Sequence, residues 1–296
     1  MPLKTVKKDT AEKLTLEWVL HVKNYKLSLD RNRCVGCQIC SLACPKEAIK
    51  VEKQPKSNGE KTRKPKVDID LAKCNFCGIC DILCPYGAVK VTLDNEHSLP
   101  IIEKKCFPKP LRDIQVNPDK FPADQNEIEE ACPLHLIRVL APVSERTESK
   151  ATVEVEKEYC PCCRVCEIKL PLGAMQVRKF IYGKIAIHQE KCPDGCTDCL
   201  DVCPITGALF LQDKDKKVAV NDTFCVYCGA CRVVCPVEGA LELERTRIIH
   251  EPIRSGAWNK TLERLTSPVG IAKELKNKGS LKARESVKKR VGLKGG

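Results

Sequence analysis

Residues 34–45 read CVGCQICSLACP, and the pattern returns as CNFCGICDILCP at residues 74–85 and CVYCGACRVVCP at residues 225–236. A fourth copy, CPDGCTDCLDVCP at residues 192–204, carries one extra residue in its first gap. Internal repetition of this kind marks repeated supersecondary units. Each copy is followed by a turn and a β-prone run: EAIKVE (47–52), GAVKVTL (87–93), GALFLQD (207–213) and GALELE (239–244). The runs YKLSLD (25–30), PKVDID (65–70) and KVAVND (217–222) precede three of the copies. The unit therefore reads strand, cysteine loop, short helix, strand. Its helix is expected to begin near the third Cys and to stop at Cys-Pro, because the residue before proline is disfavoured as helical.

Two degenerate copies lie between the good ones. Residues 160–171, CPCCRVCEIKLP, keep Cys160, Cys163 and Cys166 but have Leu170 in the fourth position. Residues 122–133, PADQNEIEEACP, align without a gap and keep only Cys132, with Pro122, Gln125 and Ile128 in the first three positions. Six copies make three pairs.

The chain holds 22 Cys in 296 residues, so disulfides, zinc and iron–sulfur clusters compete to explain them. The N-terminal stretch MPLKTVKKDTAEKLTLEWVL has neither a long apolar centre nor a small-residue cleavage site and does not read as a secretory signal. No run of about 18 apolar residues suggests a membrane span. A cytoplasmic location is expected, and there thiols stay reduced, which argues against a disulfide framework. Zinc usually completes a tetrahedron from two separated C-x2-C knuckles. A unit of three tightly spaced Cys followed by Cys-Pro, complete in four of six copies, has no such logic. It suits an iron–sulfur cubane, with three Cys on one loop and the Cys before Pro reaching the other cluster of a pair.

The formal charge of +12 counts every Cys as a neutral thiol. An oxidised four-iron core held by four thiolates adds about −2, so five clusters leave a net charge near +2, roughly neutral. The basic excess is then mostly counter-charge for cofactors, and nucleic-acid binding loses its support. Aromatic residues make up 4% and charged residues 30%. Small units with such modest cores need a staple, which bound metal supplies.

The repeats, above all those at 34–45 and 74–85, resemble the bacterial-type two-cluster [4Fe-4S] ferredoxin family over roughly residues 25–245. The resemblance implies an α+β fold of three tandem ferredoxin-like domains, each pseudo-twofold and of βαβ type. These follow a polar N-terminal segment (1–24) and span 25–95, 96–183 and 184–247, with a basic extension from 248 to 296. It also implies the ligands. One cluster takes Cys34, Cys37, Cys40 and Cys84, and its neighbour Cys74, Cys77, Cys80 and Cys44. In the last domain one set is Cys192, Cys196, Cys199 and Cys235, with Cys192 set apart by the extra residue. The other is Cys225, Cys228, Cys231 and Cys203. By the same crossing, Cys160, Cys163, Cys166 and Cys132 hold a single cluster in the middle domain, whose second site has lost all its ligands. The expected total is five [4Fe-4S] clusters arranged in line as a wire.

A cluster with four thiolates leaves no open position for substrate, so an electron carrier is expected, not an enzyme. It would pass single electrons between protein redox partners in an anaerobic, hetero-oligomeric oxidoreductase complex. It is similar in this to the polyferredoxin subunits of formylmethanofuran dehydrogenases and hydrogenases. Rival readings are a catalytic iron–sulfur enzyme and a metal-stapled nucleic-acid-binding protein. The first needs an incompletely ligated cluster or another cofactor motif, and the crossing leaves none obvious. Cys162 reads as a buried inert thiol and Cys106 as a loop thiol. His135, after Cys132-Pro133, reads as packed or solvated. An amphipathic helix is expected around residues 10–22, TAEKLTLEWVLHV. Residues 271–296 carry nine Lys and Arg against two acidic residues, which suits a solvated end, docking on an acidic partner, or peripheral binding to a membrane surface or nucleic acid.

Overall fold

The computed structural model describes residues 3–56, 61–122, 124–140, 152–212, 217–253, 255–268, 271–272, 275–276 and 279. Most of the basic stretch 271–296 lies outside the described residues. Strand β1 (Lys4–Asp9) pairs with β2 (Lys13–Val19), and β2 with β3 (Asn24–Asp30). The helix expected around residues 10–22 is therefore a hairpin. In β2, Leu14 and Leu16 are fully buried and alternate with Thr15 and Glu17. That is the two-residue period of a strand, and the edge of β3 supplies the ladder. The register sets Leu14 opposite Leu29, Leu16 opposite Leu27 and Trp18 opposite Tyr25. The N-terminal segment is thus part of the first sheet.

Six successive strand–helix–strand units follow. They are β3, α1 (Ile39–Ala43) and β4 (Ile49–Glu52); then β5 (Lys66–Ile69), α2 (Ile79–Leu83) and β6 (Val89–Leu93). After a short helix α3 (Pro100–Glu103) come β7 (Asp113–Val116), α4 (Gln125–Glu130) and β8 (Ile137–Leu140). Next are β9 (Thr152–Val155), α5 (Val165–Lys169) and β10 (Met175–Arg178). The last two are β11 (Ile181–Ile187), α6 (Asp198–Asp201) and β12 (Leu209–Leu211), then β13 (Val218–Val220), α7 (Ala230–Val234) and β14 (Leu241–Ile248).

Strand pairing nests these units in twos. The outer strands β3 and β6 pair antiparallel and enclose the pair β4–β5. The arrangement recurs as β7–β10 around β8–β9, and as β11–β14 around β12–β13. The result is a small mixed α/β architecture of short sheets. Strand β11 runs across residue 183. Its bulge between Tyr182 and Gly183 brings Gly183 so close to β14 that a Cβ there would sit 2.4 Å from the Glu244 carbonyl oxygen.

Helices of four to six residues have no stability alone and depend on packing. Ile39, Ile79, Ile128 and Val165 each point into one continuous apolar core. Helix α8 (Gly256–Leu265), capped by the Ser255 hydroxyl on the Trp258 N–H, packs beside α1 and adds Trp258, Leu262 and Leu265 to that core.

Candidate metal centres

The loops at Cys34, Cys74 and Cys225 each start from a side-chain-locked turn. The Asp30 carboxylate accepts from Asn32 N–H at 2.8 Å, and the Asp30 carbonyl accepts from Cys34 N–H at 3.0 Å. Asp70 does the same for Ala72 and Cys74, and Asn221 for Thr223 and Cys225. Asp and Asn are suited to this because their side chains mimic a backbone turn. The loop then takes two left-handed residues, one before and one after the second Cys. They are Gly36 and Gln38, Phe76 and Gly78, Cys162 and Arg164, and Tyr227 and Gly229, all with φ between 52° and 92°. Such residues cost about 1–3 kcal/mol each when they are not glycine.

The gain is the aim of the N–H groups. Cys162 N–H donates to Cys160 Sγ and Tyr227 N–H to Cys225 Sγ, both at 3.4 Å. Gly36 and Phe76 stand in the same relation to Cys34 and Cys74. Cys162 is thus a wall of the loop, with a fully buried thiol. The Cys before Pro also accepts a backbone bond: Ala48 N–H on Cys44, Ala88 N–H on Cys84 and Leu136 N–H on Cys132, at 3.2–3.4 Å. The last of these makes the loop at Cys132 match those at Cys44 and Cys84, although the rest of its motif is gone. The loop at Cys192 departs from the others. Thr197, in the place of Gln38, has φ −120°.

The fold brings the cysteines into five crossed groups. Cys84 lies beside Cys34, Cys37 and Cys40. Cys44 lies beside Cys74, Cys77 and Cys80. Cys132 joins Cys160, Cys163 and Cys166. Cys192, Cys196, Cys199 and Cys235 line one cavity of about 250 Å³. Cys203, Cys225, Cys228 and Cys231 line a smaller one of about 20 Å³. Among the described residues no three Cys, His, Asp or Glu side chains converge closely enough to hold a single metal ion. Cys106 is exposed and His135 is exposed, and neither belongs to a group. Ile128 and Leu170, which replace cysteines, are buried in the core.

The donor chemistry of these groups fits an anionic iron–sulfur cluster. Burial pushes the thiols of Cys34 and Cys74 up to about 11, and those of Cys163, Cys166, Cys199 and Cys203 up to about 12. Neighbouring thiols push in the same direction, so four buried thiolates need a cationic core among them. Cys160 alone is lowered, to about 7, by the hydrogen bond from the Cys162 side chain, with help from its backbone N–H and Arg112.

Three buried or half-buried cations complete the picture, and sequence motifs marked none of them. Arg112 donates to the carbonyls of Cys84 (2.9 Å) and Cys160 (3.0 Å). Arg245, 4% exposed, donates to those of Tyr227 (2.9 Å) and Cys228 (2.5 Å). Lys179 donates to those of Cys225 (2.7 Å) and Asp222. Among the described residues no carboxylate forms an ion pair with any of the three. A buried unpaired charge is costly, and clusters of net negative charge would supply the missing partners. The buried Tyr86 hydroxyl meets no hydrogen-bond partner of good geometry among the described residues, although the Cys228 thiol stands beside it. It stands among the thiols of Cys228, Cys37 and Cys203.

The groups do not run in line along the chain. Cys37 lies beside Cys228, so the first and last pairs of units meet directly. Among the described residues no helix is long and apolar enough to cross a membrane.

Known proteins share this pattern. The 4Fe-4S dicluster domain family matches residues 33–88 and 183–239. The polyferredoxin-like subunit of an aliphatic sulfonate oxidoreductase from Pyrococcus furiosus is 30% identical over 100 residues. That match takes in 30% of this chain and 56% of the relative, so the chain spans about half the length of that curated relative. A chain of the formate dehydrogenase–heterodisulfide reductase–formylmethanofuran dehydrogenase complex from Methanospirillum hungatei superposes with a TM-score of 0.78 at 30% identity. The superposition covers 90% of this chain and 92% of the other.

Proposed function

We propose that this chain, which belongs to the bacterial-type two-cluster [4Fe-4S] ferredoxin family as a polyferredoxin, relays single electrons between subunits of a hetero-oligomeric oxidoreductase complex. The observation that carries this is the gathering of twenty cysteines into five crossed groups of four. In this reading Cys34, Cys37, Cys40 and Cys84 hold one cluster, and Cys74, Cys77, Cys80 and Cys44 the next. Cys132, Cys160, Cys163 and Cys166 hold a single cluster in a third, degenerate ferredoxin-like domain. Its support is the nested pairing of β7–β10 around β8–β9 and the Leu136 N–H on Cys132. Cys192, Cys196, Cys199 and Cys235 hold the fourth, and Cys225, Cys228, Cys231 and Cys203 the fifth.

Bound there, a [4Fe-4S] cluster takes up and releases one electron at a time. The protein supplies the rest. The left-handed loop residues aim N–H groups at sulfur, which favours the more negative, reduced state. Partial burial limits the access of water to the ligands, and Arg112, Lys179 and Arg245 hold positive charge beside the sites. With every thiol group complete, no site is left open for a substrate, so the chain itself is non-catalytic. We place it in the cytoplasm, working with protein redox partners and not with nucleic acid.

Iron and acid-labile sulfide assays on anaerobically prepared protein test this. The expected content is about 20 Fe per chain, four for each of five clusters. A fully loaded sample with about 16 Fe would leave only the outer domains occupied, and zinc in place of iron would end the reading.

A further inference from the structure

The contacts between domains are not spread evenly over the five sites. Arg112 lies just ahead of β7, yet its guanidinium joins the Cys84 carbonyl in the first domain to the Cys160 carbonyl in the middle one. Arg245 sits on β14 of the last domain and holds the Cys228 carbonyl. It packs over Gly229, where a Cβ would lie 3.1 Å from its Nη2 and 3.6 Å from the carbonyl oxygen of Cys37 in the first domain. Tyr86 follows Cys84-Pro85 in the first domain but lines the same cavity as Cys203, Cys225, Cys228 and Cys231. Arg245 and Gly229 of the last domain and Cys37 and Tyr86 of the first therefore meet at one crossing.

We propose that the site of Cys34, Cys37, Cys40 and Cys84 is a junction. It shares Arg112 with the middle site, and Arg245 and Tyr86 with the Cys225 site, so the outer domains are joined without the middle one. This rests on the five-cluster reading above. The transfer involves one electron leaving one site and entering its neighbour, with no bond or proton changing place. A guanidinium shared by two sites stabilises the reduced form of both, and Arg stays protonated even when buried. A hydroxyl donating to a cluster sulfur does the same for one site.

Redox titration of holoprotein, followed by electron paramagnetic resonance, tests the sharing. Arg112→Gln is expected to lower the potentials of two clusters. Arg245→Gln is expected to lower two as well, and one of them is the cluster that also moves in Arg112→Gln. Arg245→Lys keeps the charge and is expected to leave both near the wild-type values. Tyr86→Phe is the mildest change and is expected to lower the potential of a last-domain cluster from a first-domain position. It serves if Arg245→Gln fails to load. The junction is overturned if Arg245→Gln and Tyr86→Phe each move only a cluster of their own domain, or if no cluster is common to the two arginine variants. Iron content separates the two failures. About 20 Fe with no crossed shifts sinks the junction alone, whereas a different count sinks the five-cluster reading first.

Discussion

Cys132 stands alone in its repeat, with Pro122, Gln125 and Ile128 where cysteine occurs elsewhere. Its loop nevertheless keeps the Leu136 N–H on the sulfur, as Ala48 does for Cys44. Cys162 is the opposite case. It sits among ligand-spaced cysteines, but its left-handed backbone (φ 59°) serves the loop while its thiol packs inward. Cys132→Ser replaces a soft thiolate with a harder, less acidic oxygen of similar size. We expect that variant to lose up to about four Fe, or to convert one cluster to a three-iron form visible by electron paramagnetic resonance. Cys162→Ser and Cys106→Ser should keep the full iron content. Loss of a cluster from Cys106→Ser with none from Cys132→Ser would reverse the assignment.

Among the elements, the N-terminal hairpin is the one that sequence pattern misjudged. Thirteen residues with Leu14, Leu16, Trp18 and Val19 can be drawn on a helix face or on alternating strand positions. A short apolar run has no unambiguous period, and the free edge of β3 decides for the strand. Leu16 is fully buried opposite Leu27, so the hairpin is part of the fold and not an appendage. Leu16→Ala should destabilise the loaded protein by about 2–5 kcal/mol, the range for removing a buried leucine side chain. Thermal denaturation under anaerobic conditions reads this. An unchanged transition would show that the hairpin does not share in the cooperative unit. The cysteine-loop helices behave differently. Their starts near the third Cys and stops at Cys-Pro were legible because ligand spacing and proline act over a few residues.

At the scale of the whole molecule, one apolar core threads from Leu14 to Leu265 and takes in buried cysteines along the way. The same core holds Cys84, Cys132, Cys163 and Cys166 among its apolar side chains. Without a cofactor these groups would be thiols pressed together beside cations that no carboxylate among the described residues pairs with, an unfavourable arrangement that cofactor binding would relieve. Folding and loading should therefore be linked. We expect chelation under air to abolish cooperative unfolding followed by circular dichroism. An apo-protein that unfolds as sharply as the loaded one would contradict the linkage.

The sequence by itself determined the repeat unit, its strand–loop–helix–strand order and the three-cysteine loops. All of these depend on residues within about ten positions of one another. It also marked Cys132 as the orphan of a lost motif, because alignment without gaps needs no structure. Only the tertiary structure decided that the first and last domains meet at Cys37 and Cys228. It alone brought Arg112, Lys179 and Arg245 to the carbonyls of the cysteine loops and Tyr86 to the thiols. Those residues carry no motif, since a side chain that serves a site from another domain is chosen by where the core folds the chain. The contacts of Arg112 and Lys179 span 28 to 48 positions, and those of Tyr86 and Cys37 with Cys228 span more than a hundred, so no local spacing rule can encode them.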